Sequence, residues 1–343
     1  MSATAFQVDV TNTVALTALM DELAVQQQAA FFSNEKFSHT SSRGEIPTEY
    51  HKICLFGRAL NAEELQTCLT VCLFPSVTSF YFSSIKPTDT LEAAFCFYLR
   101  ADENEATLNN IFEKLTNSIN DVEVICYASA PRLKKPGLLV MDMDSTAIDI
   151  ECIDEIAVLA GVGEQVSKVT ASAMRGELDF AQSLIQRVAT LKGTEQHVLQ
   201  QVLTNMPLME GVKSLVNTLK ANGWKVAIAS GGFTFFANDL KHQLGLDAAI
   251  ANELEIINGV LTGKVTGQIV DANVKAQTIK QLAQQHGIPQ SQTVAMGDGA
   301  NDLVMMSAAQ LGVAFHAKPA VVEKADIAFH DGGLDQLLYV LSS

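Results

Sequence analysis

Five short, almost wholly apolar runs recur after residue 137, and they constrain the fold more than any other feature of the chain. Leu138 to Met141, Lys225 to Ala229, Thr293 to Met296, Leu311 to Phe315 and Asp326 to Phe329 are too short for buried helices. They also lack the polar–apolar alternation of a sheet with one wet face, so they read as strands covered on both sides. The sequence between them keeps a helical period, as in Gly211 to Asn222, Phe235 to Leu244 and Ala276 to His286. Strand–helix alternation of this kind winds into an open parallel sheet with helices on both faces, so the expected class is α/β, a doubly wound parallel sheet.

Two insertions decorate that pattern. Ile153 to Met206 is helix-rich and too long for one crossover, which predicts a helical cap at about 152–206 on a core of 137–151 and 207–343. Asn252 to Asp271 alternates around Asn258-Gly259, the strongest short-range hairpin signal, and predicts a β-hairpin flap. Upstream, Ala130 to Gly137 interrupts the periodic text with prolines, cations and a glycine, which marks a domain boundary. A chain of 343 residues has room for two domains. Within 1–130, Val14 to Phe32 predicts a helix, and polar Phe37 to Glu49, with Gly44 and Pro47, predicts a loop. Thr78 to Ile85, Ala93 to Ala101 and Val122 to Ser129 predict strands, with a helix from Ala106 to Ile119, so a small α+β domain precedes the α/β one.

Composition narrows the partners. Thirty-eight acidic side chains against 23 Lys and Arg leave a net charge of −15, the wrong sign for nucleic acid or an anionic membrane surface. No apolar stretch is long enough to cross a bilayer and the N-terminus lacks a basic segment before an apolar one, so the expected location is cytoplasmic. The cysteines at 54, 68, 72, 96, 126 and 152 form no CxxC pair and read as reduced, with no zinc site.

Chemistry concentrates at the ends of the apolar runs, where open parallel sheets bind ligands. Asp142-Met143-Asp144-Ser145-Thr146 follows the first run and Gly297-Asp298-Gly299-Ala300-Asn301-Asp302 follows another. If those strands are neighbours, about 4.8 Å apart, the carboxylates of Asp142, Asp144 and Asp298 converge, and that much like charge calls for a hard cation such as Mg²⁺. Ser230-Gly231-Gly232, between a strand and a helix, offers a hydroxyl and open backbone amides to an anion. Lys275, at a helix start, is opposed by the helix dipole unless it faces an anion. Each pattern alone is also compatible with a plain turn or a surface charge. Gly259 to Lys264 is one residue short of a Walker loop, and GxGxxG, GxSxG and HExxH are absent where they would carry meaning.

Taken in order, DMDST, SGG, Lys275 and GDGAND resemble the haloacid dehalogenase superfamily of phosphohydrolases, and more closely its phosphoserine phosphatase branch. The resemblance implies Asp142 as the nucleophile that forms an aspartyl-phosphate, and Asp144 as general acid and then base. It implies Mg²⁺ held by Asp142, Asp298 and the backbone carbonyl of Asp144, with Asp302 in support. Ser230, Gly231 and Lys275 would bind phosphoryl oxygens, with Asn301 in the same pocket. Glu151 and Arg187 match the branch's residues for the substrate's ammonium and carboxylate, and Met174 and Phe180 would give an apolar wall or belong to the cap core. The substrate implied is phosphoserine. The segment before 130 looks like the ACT-like domain of some bacterial relatives, which implies a regulatory role or a homodimer. Two alternatives stay open: a phosphatase or phosphotransferase acting on another small phosphomonoester, and an amino-acid-sensing protein whose catalysis has decayed.

Overall fold

The computed structural model describes residues 5–9, 11–26, 28–33, 36–42, 46, 50–73, 77, 79–100 and 105–342. They pack as two units, Met1–Arg132 with Phe329–Gly332 and Gln336–Ser343, and Leu133–Ala328 with Gly333–Asp335.

The first unit runs β1 (Ala5–Asp9), α1 (Thr13–Gln26), β2 (Gln28–Ser33), β3 (Lys36–Ser42), β4 (Tyr50–Phe56), α2 (Ala62–Thr67), β5 (Ser79–Ile85), β6 (Ala94–Arg100), α3 (Glu105–Ser118) and β7 (Glu123–Tyr127). Its strands form one sheet in the order β1-β3-β2-β5-β6-β4-β7. Alternation sends Ile53, Leu55, Phe80, Phe82, Phe95 and Phe97 to one face, against Leu16 and Leu23 of α1, Leu65 of α2 and Ile111 and Leu115 of α3. Burying each such side chain contributes roughly 1.5–3 kcal/mol, so this aromatic layer is the unit's main source of stability. Two expectations are corrected here. The helix expected over Val14 to Phe32 ends at Gln26 and gives way to β2, and the loop expected from Phe37 holds β3, while Gly44 and Pro47 lie outside the described residues. Both follow from pairing: β2 is hydrogen-bonded between β3 and β5, a non-local gain that outweighs the helical preference of its Gln-Ala-Ala start.

The second unit begins with β8 (Leu138–Met141), followed by the cap helices α4 (Cys152–Leu159), α5 (Gly163–Met174), α6 (Phe180–Thr190) and α7 (His197–Thr204). It continues through α8 (Val212–Ala221), β9 (Lys225–Phe233), α9 (Thr234–Leu244), β10 (Ala248–Ile257), β11 (Val260–Thr266), α10 (Ala272–His286) and β12 (Thr293–Gly297). It closes with α11 (Leu303–Ala308), β13 (Leu311–Phe315), α12 (Pro319–Val322) and β14 (Ile327–Phe329). The sheet order is β11-β10-β9-β8-β12-β13-β14, with β10, β9, β8, β12 and β13 parallel to one another and β11 antiparallel to β10. This is the doubly wound α/β sheet expected from the apolar runs, and β8 lies at its centre with every residue buried.

The hairpin turns on Asn258 (φ 53°) and Gly259 (φ 77°), the pair of left-handed residues that a tight hairpin of this hand requires. It is not free-standing. The N–H of Gly193 donates to Leu261 O (2.9 Å), Leu261 N–H to Thr194 O (2.9 Å) and Gln196 N–H to Gly259 O (2.8 Å), so backbone bonds strap the flap to the turn between α6 and α7.

The last helix, α13 (Leu337–Ser342), packs with the first unit although the sequence places it at the end of the second. Phe56 stacks on Tyr339 with ring centroids 4.8 Å apart, the Tyr127 hydroxyl donates to Val340 O (3.4 Å), and the Tyr339 hydroxyl donates to Glu92 O (2.7 Å). No helix among the described residues is long and apolar enough to cross a membrane.

Candidate active site

Because β8 pairs in parallel with both β9 and β12, Met141 lies level with Ile228 and Met296, and the chain leaves the sheet at Asp142. The Asp142 N–H extends the ladder by one bond, to Met296 O at 2.9 Å. Its carboxylate is then fixed at both oxygens: Oδ1 accepts from the Met143 N–H (2.7 Å) and Oδ2 from Lys275 Nζ (2.6 Å). The loop folds back on itself because the Met143 carbonyl accepts from the N–H groups of Thr146, Ala147 and Ile148, and because Ser145 adopts a left-handed φ of 54°. A non-glycine residue held there is strained, a feature that clusters at working sites. Ser145 donates its hydroxyl to Glu151 Oε1 (2.8 Å), and the Cys152 N–H donates to Asp144 Oδ1 (3.0 Å), so the start of α4 holds the second aspartate.

Lys275 sits on the first turn of α10, whose cap Asp271 accepts from the Val274 N–H at 2.9 Å. Contrary to expectation it does not open the helix but is its fourth residue, and it is fully buried. Its ammonium donates to Asp142 Oδ2 and to Asp302 Oδ1 at 2.8 Å, while Asp302 Oδ2 accepts from the Gly299 N–H at 3.0 Å. Thr146 donates to Asp298 Oδ1 at 3.3 Å and so links the two acidic loops. Burial alone would lower the lysine's pKa, but Asp142 and Asp302 outweigh it and hold the ammonium charged above its ordinary value. The carboxyls respond in the opposite sense. Burial, then the charge of Glu151, pushes Asp144 up to about 7, and burial with the charges of Asp142 and Glu151 pushes Asp298 up to about 6. Burial and Asp142 also raise Asp302, against the pull of Lys275.

Ser230, Gly231 and Gly232 continue β9 itself and do not form a separate turn, as the strand runs to Phe233 before α9 begins. The Gly232 N–H donates to Ser230 Oγ at 2.9 Å. Neither glycine has room for a side chain: a Cβ on Gly231 would strike the Phe180 ring, and one on Gly232 would strike Asp144 and Met143. Asn252, buried to 1% exposure on β10, is a positioning residue that the sequence reading passed over. It donates to Gly231 O (2.8 Å) and accepts from the Val270 N–H (2.8 Å), tying the glycine end of β9 to the segment that leads into α10. A buried asparagine inside a strand pattern was the available signal.

The cap and these loops enclose a pocket of about 300 Å³. Asp142, Asp144, Asp298 and Asn301 line its floor with Ser230 and Gly231, while Glu151, Met174, Phe180 and Arg187 face it from α4, α5, α6 and their edges. Lys275 and Asp302 do not line it and lie behind Asp142. Met174, 72% exposed, belongs to the pocket rim and not to the cap core. Carboxylate oxygens of Asp142, Asp298 and Asp302 lie within 4.8 Å of one another, an all-oxygen donor set that fits a hard metal ion. Asp302 already spends both oxygens on Lys275 and Gly299, and the Asp144 carboxylate is outside the cluster.

Residues 137–310 match the family described as haloacid dehalogenase-like hydrolase. The phosphoserine phosphatase of Haemophilus influenzae is 55% identical over 232 residues, 68% of this chain and 74% of that protein. The phosphoserine phosphatase of Vibrio cholerae is 59% identical over 213 residues, 62% of this chain and 65% of that protein. The crystal structure of a probable phosphoserine phosphatase from Vibrio cholerae, in its unliganded form, superposes with a TM-score of 0.70 at 44% identity, covering 87% of this chain and 88% of that one.

Proposed function

The chain belongs to the haloacid dehalogenase-like hydrolases, and from that premise we propose that it is a phosphoserine phosphatase, which hydrolyses O-phospho-L-serine to L-serine and phosphate as the last step of serine synthesis. The observation that carries the reading is the pairing of Asp142, backed by a buried ammonium, with Asp144, a carboxyl that holds a proton near pH 7, on the floor of a pocket roofed by Arg187.

In this reading Asp142 attacks phosphorus, and the bond to the serine oxygen breaks as Asp144 gives that oxygen its proton. Asp144, now a carboxylate, takes a proton from water as the water oxygen attacks phosphorus and releases Asp142. Ser230, Gly231, Asn301 and Lys275 hold the phosphoryl oxygens or the nucleophile beside them. Mg²⁺, held by Asp142, Asp298 and the Asp144 backbone carbonyl with Asp302 in support, would neutralise charge on the phosphoryl group. Arg187 takes the substrate carboxylate and Glu151 its ammonium, while Met174 and Phe180 cover the carbon chain. The residues up to about 130 would be an ACT-like regulatory or dimerising domain, and 137–343 the phosphatase. A monomer mass by light scattering at every concentration, with turnover indifferent to added L-serine, would remove that role.

Phosphate release from L-phosphoserine, phosphothreonine, phosphoglycolate and an aryl phosphate tests the substrate. The wild type should prefer L-phosphoserine. Arg187→Ala should raise its KM about 10- to 100-fold, the loss of one charged hydrogen-bonded contact. Equal rates across the panel would keep the chemistry and discard the substrate.

The site's acidity makes a separate prediction. Asp144 and Asp298 have folded pKa values raised above the ordinary carboxylate value, to about 7 and about 6. The folded state therefore binds more protons than the unfolded chain, and the stability these groups confer is full below about pH 4 and lost as pH rises through 6 to 7. Calorimetry in EDTA should show Tm falling from pH 5 to 7.5, and Mg²⁺ should raise Tm more at pH 7.5 than at pH 5. An equal Mg²⁺ increment at both would contradict it.

A further inference from the structure

Buried side-chain polar atoms normally find partners, and among the described residues of the second unit only two such atoms have none: Thr170 Oγ1 on α5 and Arg187 Nε on the adjoining α6. Both residues line the pocket above the aspartates. The Thr170 hydroxyl is odd in a second way. A helical threonine satisfies its hydroxyl by donating to the carbonyl four residues back, as Thr116 does to Phe112 O, Thr204 to Gln200 O and Thr278 to Val274 O. Thr170 declines that bond and stays buried without a partner, which costs stability unless a ligand supplies what is missing.

A hydroxyl and a guanidinium N–H, both buried, both unpaired and both carried by residues that line one pocket, ask for an acceptor that is planar, anionic and able to take two donors. We propose that Thr170 is a specificity-determining residue whose hydroxyl donates to the substrate's α-carboxylate beside Arg187 Nε. The inference rests on the phosphoserine reading and deepens it. Phosphoryl binding occurs on the floor, at Ser230 and Gly231, so the Thr170 contact discriminates the amino-acid end of the substrate and leaves the reacting end alone.

The test compares L-phosphoserine with O-phosphoethanolamine, which has the same phosphate and ammonium and no carboxylate. Thr170→Val keeps the shape and removes only the hydroxyl. The ratio of kcat/KM for L-phosphoserine to that for O-phosphoethanolamine should fall about tenfold, through KM, as expected for one hydrogen bond to a charged group. Thr170→Ser should restore the ratio. Tm of the valine variant should be unchanged or raised, since an unpaired buried hydroxyl has gone. A ratio left intact, or a Tm loss with equal losses on both substrates, would overturn the role of Thr170 while leaving the enzyme's substrate in place. A wild type indifferent to the carboxylate would overturn both.

Discussion

Asp142→Asn should abolish turnover and spare the fold. Asparagine keeps the size of the side chain but cannot attack phosphorus, and removing a covalent nucleophile typically costs about 10⁴-fold or more in kcat. Lys275 keeps its second partner, Asp302, so no buried ammonium is stranded. The variant also removes a negative charge that raises Asp144, Asp298 and Asp302, and Tm should hold or rise at neutral pH. Acid-quenched enzyme exposed to phosphate-labelled substrate should carry covalent label in the wild type and none in the variant. A labelled variant, or one with more than about a hundredth of the wild-type rate, would place the nucleophile elsewhere.

Lys275→Met should be the most damaging single change to the fold of the second unit. The side chain is wholly buried, and methionine replaces its volume while leaving Asp142 and Asp302 facing one another without a cation. Breaking a buried pair from one side costs about 3–5 kcal/mol, against a total stability of about 5–15 kcal/mol for a typical domain. Because the stranded cost is that of two ionised carboxylates, it should shrink at pH 5, where Asp302, already raised by burial, is protonated more readily. Denaturant titrations at pH 7.5 and pH 5 measure both. A loss below about 0.5 kcal/mol at pH 7.5, the usual range for a surface substitution, would mean that the lysine is not the buried counter-ion described.

The core and the placement of the candidate site residues were legible because their signals are local. Leu138 to Met141 is a strand by its own composition, and the aspartates, Ser230, Gly231 and Lys275 follow their strands or caps at short range. The first unit was less legible because its strands are defined by their partners, some of them far along the chain. Gln28–Ser33 continues the apolar text of α1, and only its pairing with β3 and β5 makes it a strand. β3 carries one buried apolar side chain, Phe37, in a polar run, and so resembled a loop. Asn252 and Thr146 escaped for the same reason, as their partners, Gly231, Val270 and Asp298, lie 18 to 152 positions away. Thr170 could not be found at all from text, since what marks it is a bond not made.

The return of α13 to the first unit has a bearing on biosynthesis. A ribosome delivers residues in order, and early domains ordinarily fold while later ones are still being made. Here the sheet of β1 to β7 emerges ahead of the second unit, but the helix that supplies Tyr339 and Val340 to Phe56 and Tyr127 emerges only after it. The unit begun before the other is thus completed after it, and until α13 is released the side chain of Phe56 and its neighbours wait without their cover.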